Sequence, residues 1–201
     1  MPVEIEVKAW ADDPEKIKSA LSCLAEYRGK FRKQDEYWFT PSVPSASEAG
    51  GIPASGVRVR REEAGDAEGA VRKRIVVTYK VKEVRDGIEI NQEREFLVSD
   101  KGALEELLSR LGLARGYAKE KSGFAWNYHG ITAELTRVAP LGWFAELEIL
   151  TGDDAEPAVQ SARHRLMDLL HRIGIGEDRI ETRYYSEMLQ TKGRASGAGE
   201  A

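Results

Sequence analysis

The sequence predicts an α+β chain, an antiparallel sheet or barrel with helices packed on it. Three observations lead there. About eight segments alternate apolar with polar or charged residues, the period of a strand with one buried face. Most of them follow one another through connections of hairpin length, which fits antiparallel pairing. The other periodic segments place apolar residues at helical spacing, and such stripes need an apolar surface to cover. A length of 201 residues suffices for one domain with a sizeable core. That domain is expected over residues 1–190, and the small, polar ending 191–201 is expected to be disordered.

The first strand, residues 3–8, puts Val3, Ile5 and Val7 on one face and Glu4, Glu6 and Lys8 on the other. Asp13-Pro14 then starts a helix, as a side-chain cap followed by a residue pre-set for the first turn. Ile17, Ala20, Leu21 and Leu24 continue it, with an end expected near Gly29. Residues 31–40 form a second strand. Residues 41–56, rich in Pro, Ser, Ala and Gly, form a long mobile loop. A third strand over 57–60 and a polar hairpin connection over 62–70 lead to strands at 72–82 and 89–98. Asp100 caps a second helix carrying Leu104, Leu107, Leu108 and Leu111, stopped by Gly112. Strands follow at 116–128, 131–138 and 143–150. A long helix over 154–173 shows Val159, Ala162, Leu166, Leu169 and Leu170 on one stripe, and a short helical piece occupies 184–189.

Composition removes several function classes. Lys+Arg 30 against Asp+Glu 34 gives a net charge of -4, so no nucleic-acid partner is expected. No apolar run approaches the ~18 residues of a membrane span, so no membrane partner is expected. The opening MPVEIEVKAW is charged at once, so no secretory leader and a cytoplasmic location are expected. Cys23 is the sole cysteine, which excludes an intrachain disulfide and a Cys-rich zinc site. The histidines 129, 164 and 171 are scattered, so any metal must be held by carboxylates, which favours Mg²⁺, Mn²⁺ or Ca²⁺.

The polar strand faces are charged, and the charges are sorted by sign. Glu4 and Glu6, Glu93 and Glu95, and Glu146 and Glu148 are paired carboxylates at i and i+2; Arg58 and Arg60, Lys80 and Lys82, and Lys119 and Lys121 are paired cations. These faces are either solvated surfaces over an apolar core or, if the helices cover the apolar faces, surfaces turned toward one another. Carboxylates about 7 Å apart on one strand face repel unless a cation lies near them. Several basic pairs suit a polyanion whose phosphates accept many Lys and Arg contacts.

In order along the chain, Glu4-Ile5-Glu6-Val7-Lys8, Gln34-Asp35-Glu36-Tyr37-Trp38, Val57-Arg58-Val59-Arg60, Thr78-Tyr79-Lys80, Glu93-Arg94-Glu95, Lys119-Glu120-Lys121 and Leu141-Gly142-Trp143-Phe144-Ala145-Glu146-Leu147-Glu148 resemble the strand motifs of the CYTH superfamily of triphosphate tunnel metalloenzymes. Tyr185-Ser186-Glu187-Met188-Leu189 is similar to the ending of its class IV adenylyl cyclase branch. The resemblance covers residues 3 to about 190. It implies an eight-stranded antiparallel β-barrel with a charged tunnel inside and helices outside. It also implies an enzyme that uses Mg²⁺ or Mn²⁺ on a triphosphate such as ATP, tripolyphosphate or thiamine triphosphate. Hydrolysis and ATP cyclisation both remain open, as do a non-catalytic nucleotide- or polyphosphate-binding module and a homodimer.

By the same resemblance Glu4, Glu6, Glu146, Glu148 and Glu134 are the metal candidates, and Arg58, Arg60, Lys80, Lys119 and Lys121 the phosphate ligands. Lys8 either contacts phosphate or holds the neighbouring glutamates, and Glu4, Glu6, Lys8 and Glu148 are the expected catalytic group. Thr136 stands where the family carries an aspartate, and Glu134, on the same strand face, is the substitute to weigh. From two residues away Glu134 must tilt to reach the same ion, so a weakened site is expected. The basic run Arg28, Lys30, Arg32, Lys33 is read as a solvated edge, and Trp38 and Phe39 as core.

Overall fold

The computed structural model describes residues 3–40, 56–66, 68–85 and 87–197, without the side chains of residues 80–83, 85 and 193–197. The loop expected over 41–56 falls outside the described residues except for Gly56. The strands are β1 (Val3–Trp10), β2 (Glu26–Phe39), β3 (Val57–Gly65), β4 (Val71–Arg85), β5 (Ile88–Val98), β6 (Ala114–Tyr128), β7 (Ile131–Val138) and β8 (Gly142–Thr151). They close an antiparallel barrel in the order β1-β5-β4-β3-β2-β6-β7-β8. The helices are α1 (Pro14–Leu24), α2 (Lys101–Arg110), α3 (Glu156–Arg172) and α4 (Tyr185–Gly197), with one 3₁₀ turn at Glu177–Arg179.

The apolar faces of β1, β7 and β8, and those of β2 and β3 near Trp38 and Val59, find helical partners outside the barrel. Val3, Ile5 and Val7 of β1, Ala133 and Leu135 of β7, and Ala145, Leu147 and Ile149 of β8 pack against Leu166, Leu169 and Leu170 of α3 and Ile17 and Leu21 of α1. Leu104 and Leu108 of α2 cover Trp38 and Val59 on the opposite flank. Strand side chains alternate between faces, so this outer core turns the charged residues inward.

Several boundaries differ from the sequence-based expectation. Helix α1 starts as expected, with the Asp13 side chain accepting from the Lys16 backbone N–H at 3.1 Å, but it ends at Leu24. Ala25 is already extended, and Glu26 and Tyr27 pair with Asn127 and Trp126 of β6. Gly29 therefore does not stop a helix. It sits at a register shift inside β2, at φ +118, where a Cβ would come within 1.9 Å of the Gly65 carbonyl oxygen. Strands β3 and β4 run on through Gly65 and Val71, because Glu62 and Glu63 face Arg74 and Lys73 across the pair. Helix α4 continues to Gly197, seven residues into the stretch read as a disordered tail, and Lys192 donates to the Pro140 carbonyl at 2.6 Å.

Candidate active site inside the barrel

The barrel encloses a cavity of about 480 Å³. Glu4, Glu6, Lys8, Arg58, Arg60, Lys119, Lys121, Glu134, Glu146 and Glu148, drawn from β1, β3, β6, β7 and β8, all line it. Lys80 lies in β4 opposite Glu93, and its side chain is outside the described residues. The bland reading of these strand faces as solvated surface is thus excluded by where the helices sit.

The basic side is built on Asp35. Its carboxylate, 1 % exposed, accepts both arms of the Arg60 fork, at 2.6 and 3.0 Å, and lies 3.8 Å from the Lys119 ammonium. Burial alone would push this carboxyl up; the Arg60 charge and hydrogen bonds, with Lys119 and Arg58, outweigh it and hold the group well below the usual carboxylate range. Arg58 donates to Thr78 at 2.8 Å and to Glu95 at 3.0 Å. Burial lowers the Lys119 ammonium from its ordinary value despite Tyr37 and Asp35 nearby. Asp35 thus fixes Arg60, and Glu93 and Glu95 stand 4.0 and 3.0 Å from the Arg58 guanidinium.

The acidic side follows from register. Glu6 faces Glu148 across β1 and β8, and Glu134 faces Glu146 across β7 and β8. Like charges opposite each other repel, so each carboxylate needs a cation or donor nearby. Glu134 takes the Lys33 ammonium at 2.5 Å, Glu4 accepts from Asn91 at 2.9 Å, and Glu146 accepts from both Lys121 and the Tyr185 hydroxyl. Burial pushes the Glu146 carboxyl up, but Lys121 and Tyr185 bring it down to about 2. Lys8 reaches Glu89 at 3.1 Å and the Arg183 carbonyl at 2.8 Å.

Thr136 does not line this cavity. It is fully buried opposite Phe144, its hydroxyl has no partner, and Phe144 packs edge-on against Tyr185 at 5.0 Å. Glu134, the carboxylate weighed as its substitute, does line the cavity. The basic run on β2 also needs correction. Arg28, Lys30 and Arg32 are exposed, Arg28 pairing with Glu26 and Arg32 with Glu120, as an edge should be, but Lys33 is mostly buried and lines the cavity. Lys33 lies two residues from Asp35, so strand alternation carried the signal. Phe39 also lines the cavity, beside the stacked rings of Tyr37 and Tyr117, 4.3 Å apart. Tyr117 had no local signal, and the motif that Tyr185 opens did not place its ring in the cavity, because contact between elements distant in sequence does so.

Among the described residues, no three carboxylates stand close enough to hold an ion as now arranged. The donor chemistry nevertheless fits one. Five glutamates on three adjacent strands face a common space, and carboxylate oxygens are the ligands that hard divalent cations take.

An antiparallel barrel that turns apolar faces to helices and sorted charges to a central cavity defines a tunnel-type fold with a charged interior. The profile of the CYTH domain matches residues 3–185, and the chain belongs to that family. It is similar to a Methanocaldococcus jannaschii protein named "Putative adenylate cyclase MJ0240", with 24% identity covering 92% of this chain and 98% of that one. Its fold matches the PH1819 protein of Pyrococcus horikoshii at a TM-score of 0.78, with 24% identity over 94% of this chain and 99% of the other. It also matches a Hippeastrum adenylyl cyclase candidate, described with a dominant triphosphatase activity, at a TM-score of 0.61 and 17% identity over 87% and 89%. Among the described residues no helix is long and apolar enough to cross a membrane.

Proposed function

We propose that this protein is a divalent-metal-dependent enzyme acting on a triphosphate, by hydrolysis or by cyclisation of a nucleoside triphosphate. The observation that carries the reading is the sorting of charge within one cavity, with cations on β2, β3 and β6 and paired glutamates on β1, β7 and β8. Arg58, Arg60, Lys119 and Lys121, with Lys80, would take phosphate oxygens. Arg60 suits this because Asp35 already fixes its plane, so little orientation is lost on binding. Glu4, Glu6, Glu134, Glu146 and Glu148 would hold Mg²⁺ or Mn²⁺. A bound divalent ion would neutralise phosphate charge and lower the pKa of a bound water or hydroxyl. Lys8, beside Glu89, would neutralise the chain from the β1 side. Family membership and the name of the archaeal relative support the substrate class: ATP, tripolyphosphate or thiamine triphosphate.

One observation favours a second reading, a non-catalytic binding module. Glu134 and Glu146 are held by Lys33 and Lys121, so any ion must displace cations from them. A screen of ATP, GTP, tripolyphosphate and thiamine triphosphate with Mg²⁺ and Mn²⁺, with products identified, separates the readings. Phosphate release or a cyclic nucleotide that requires the metal supports the enzyme. A thermal shift with triphosphate and no product in any combination supports the binding module.

A further inference from the structure

Residues 185–189 carry a sequence motif to which the proposed function gives no chemical task, and Tyr185 is its first residue. It opens α4, yet its ring lies inside the barrel among cavity-lining groups, 7 % exposed. The ammonium groups of Lys8, Lys119 and Lys121 each stand over this one ring, all 4.9 Å from its centroid. No two of them can therefore be further apart than twice that distance. Lys8 and Lys121 belong to β1 and β6, which are not neighbours in the barrel, so strand register alone does not bring them together. Phe144 braces the ring edge-on, and the hydroxyl donates to Glu146.

We propose that Tyr185 is a positioning residue, a platform whose π-face holds Lys8, Lys119 and Lys121 together as one clamp for a phosphate chain. The face of an aromatic ring is negative and attracts cations, more strongly where water is excluded. Glu89, Asp35 and Glu146 each serve one of the three lysines; the ring touches all three. It attracts them without the full negative charge that would compete with, or repel, an entering phosphate. This inference rests on the phosphate-binding reading of the cavity.

Two variants and two readouts test it. Tyr185→Leu removes the π-face at similar bulk; Tyr185→Phe keeps the face and loses the hydroxyl. The first readout is the ¹H–¹³C spectrum of the lysine Cε–Hε groups, where protons over a ring face shift upfield. The second is calorimetric titration of tripolyphosphate without metal. The expected result is three upfield-shifted lysine signals in the wild type and in Tyr185→Phe, lost in Tyr185→Leu, which binds tripolyphosphate about tenfold more weakly. If Tyr185→Phe is impaired as much as Tyr185→Leu, the hydroxyl bond to Glu146 matters instead, and the platform is wrong. Wild-type affinity and unshifted spectra in Tyr185→Leu also overturn it. If the wild type binds no tripolyphosphate, the functional reading falls and the lysine spectra alone decide the platform. Should Tyr185→Leu not fold, ordinary lysine positions in the wild-type spectrum are the refuting result.

Discussion

Replacing Asp35 by Asn removes one negative charge from the middle of the basic cluster while nearly conserving shape. Arg60 loses the anion that accepts both arms of its fork, and Lys119 loses its carboxylate neighbour at 3.8 Å. Breaking a buried ion pair from one side costs about 3–5 kcal/mol, because the remaining charge stays buried without compensation. The Asn side-chain oxygen still accepts one arm, so a loss near the lower figure is expected in urea denaturation at pH 7. The pH dependence has a definite sign. The folded-state value of Asp35 lies well below the unfolded value of about 3.9, so its contribution is complete above that pH. It shrinks as the pH falls from there toward the folded value, and the wild type and variant converge in acid. Tripolyphosphate should reverse part of the loss. A ligand at about a hundredfold excess over its Kd stabilises by about 2.7 kcal/mol, and the variant should gain more than the wild type because the added anion takes the place of Asp35. A loss under about 1 kcal/mol at pH 7, or equal stabilisation of both proteins by ligand, would refute the reasoning.

Glu6→Gln and Glu148→Gln should each abolish metal-dependent turnover and leave the melting temperature unchanged or raised, since each removes a like charge from a facing pair; unchanged kcat would remove both from the metal site. Arg58→Ala should weaken triphosphate binding by roughly 1.5–3 kcal/mol, the scale of a hydrogen bond to a charged group, read by titration calorimetry. Thr136→Asp should lower stability in denaturant titration and leave the metal requirement as it was, because it places a carboxylate in a fully buried spot facing Phe144. Glu134→Gln should raise the Mg²⁺ or Mn²⁺ concentration needed for half-maximal activity. The reverse pair of results would restore Thr136 as the missing ligand position.

Period-2 alternation made most strands legible, and β7 starts and ends where the pattern does, at Ile131 and Val138. It also separated inward Glu4 and Glu6 from outward Val3 and Ile5, so the charged faces could be read before their direction was known. Direction followed from the helices: apolar stripes on α1 and α3 needed the strands' apolar faces, leaving the charges inside. What failed was set by contacts between distant segments. The end of α1 is decided by pairing of Glu26 and Tyr27 with β6, and Gly29 by its close approach to Gly65, neither visible locally. Lys33 was misread because the basic run was taken as a block instead of being split by alternation. The placement of Thr136 depends on Phe144 and Tyr185 filling that part of the barrel, a packing fact with no sequence periodicity.

The central claim is that the barrel's interior recognises a phosphate chain by charge. Titration calorimetry of tripolyphosphate, pyrophosphate and orthophosphate at several salt concentrations tests it most directly. Affinity should fall with each phosphate removed and fall with rising salt, as binding to many cations requires. Equal affinity for orthophosphate and tripolyphosphate, or binding indifferent to salt, would contradict the account.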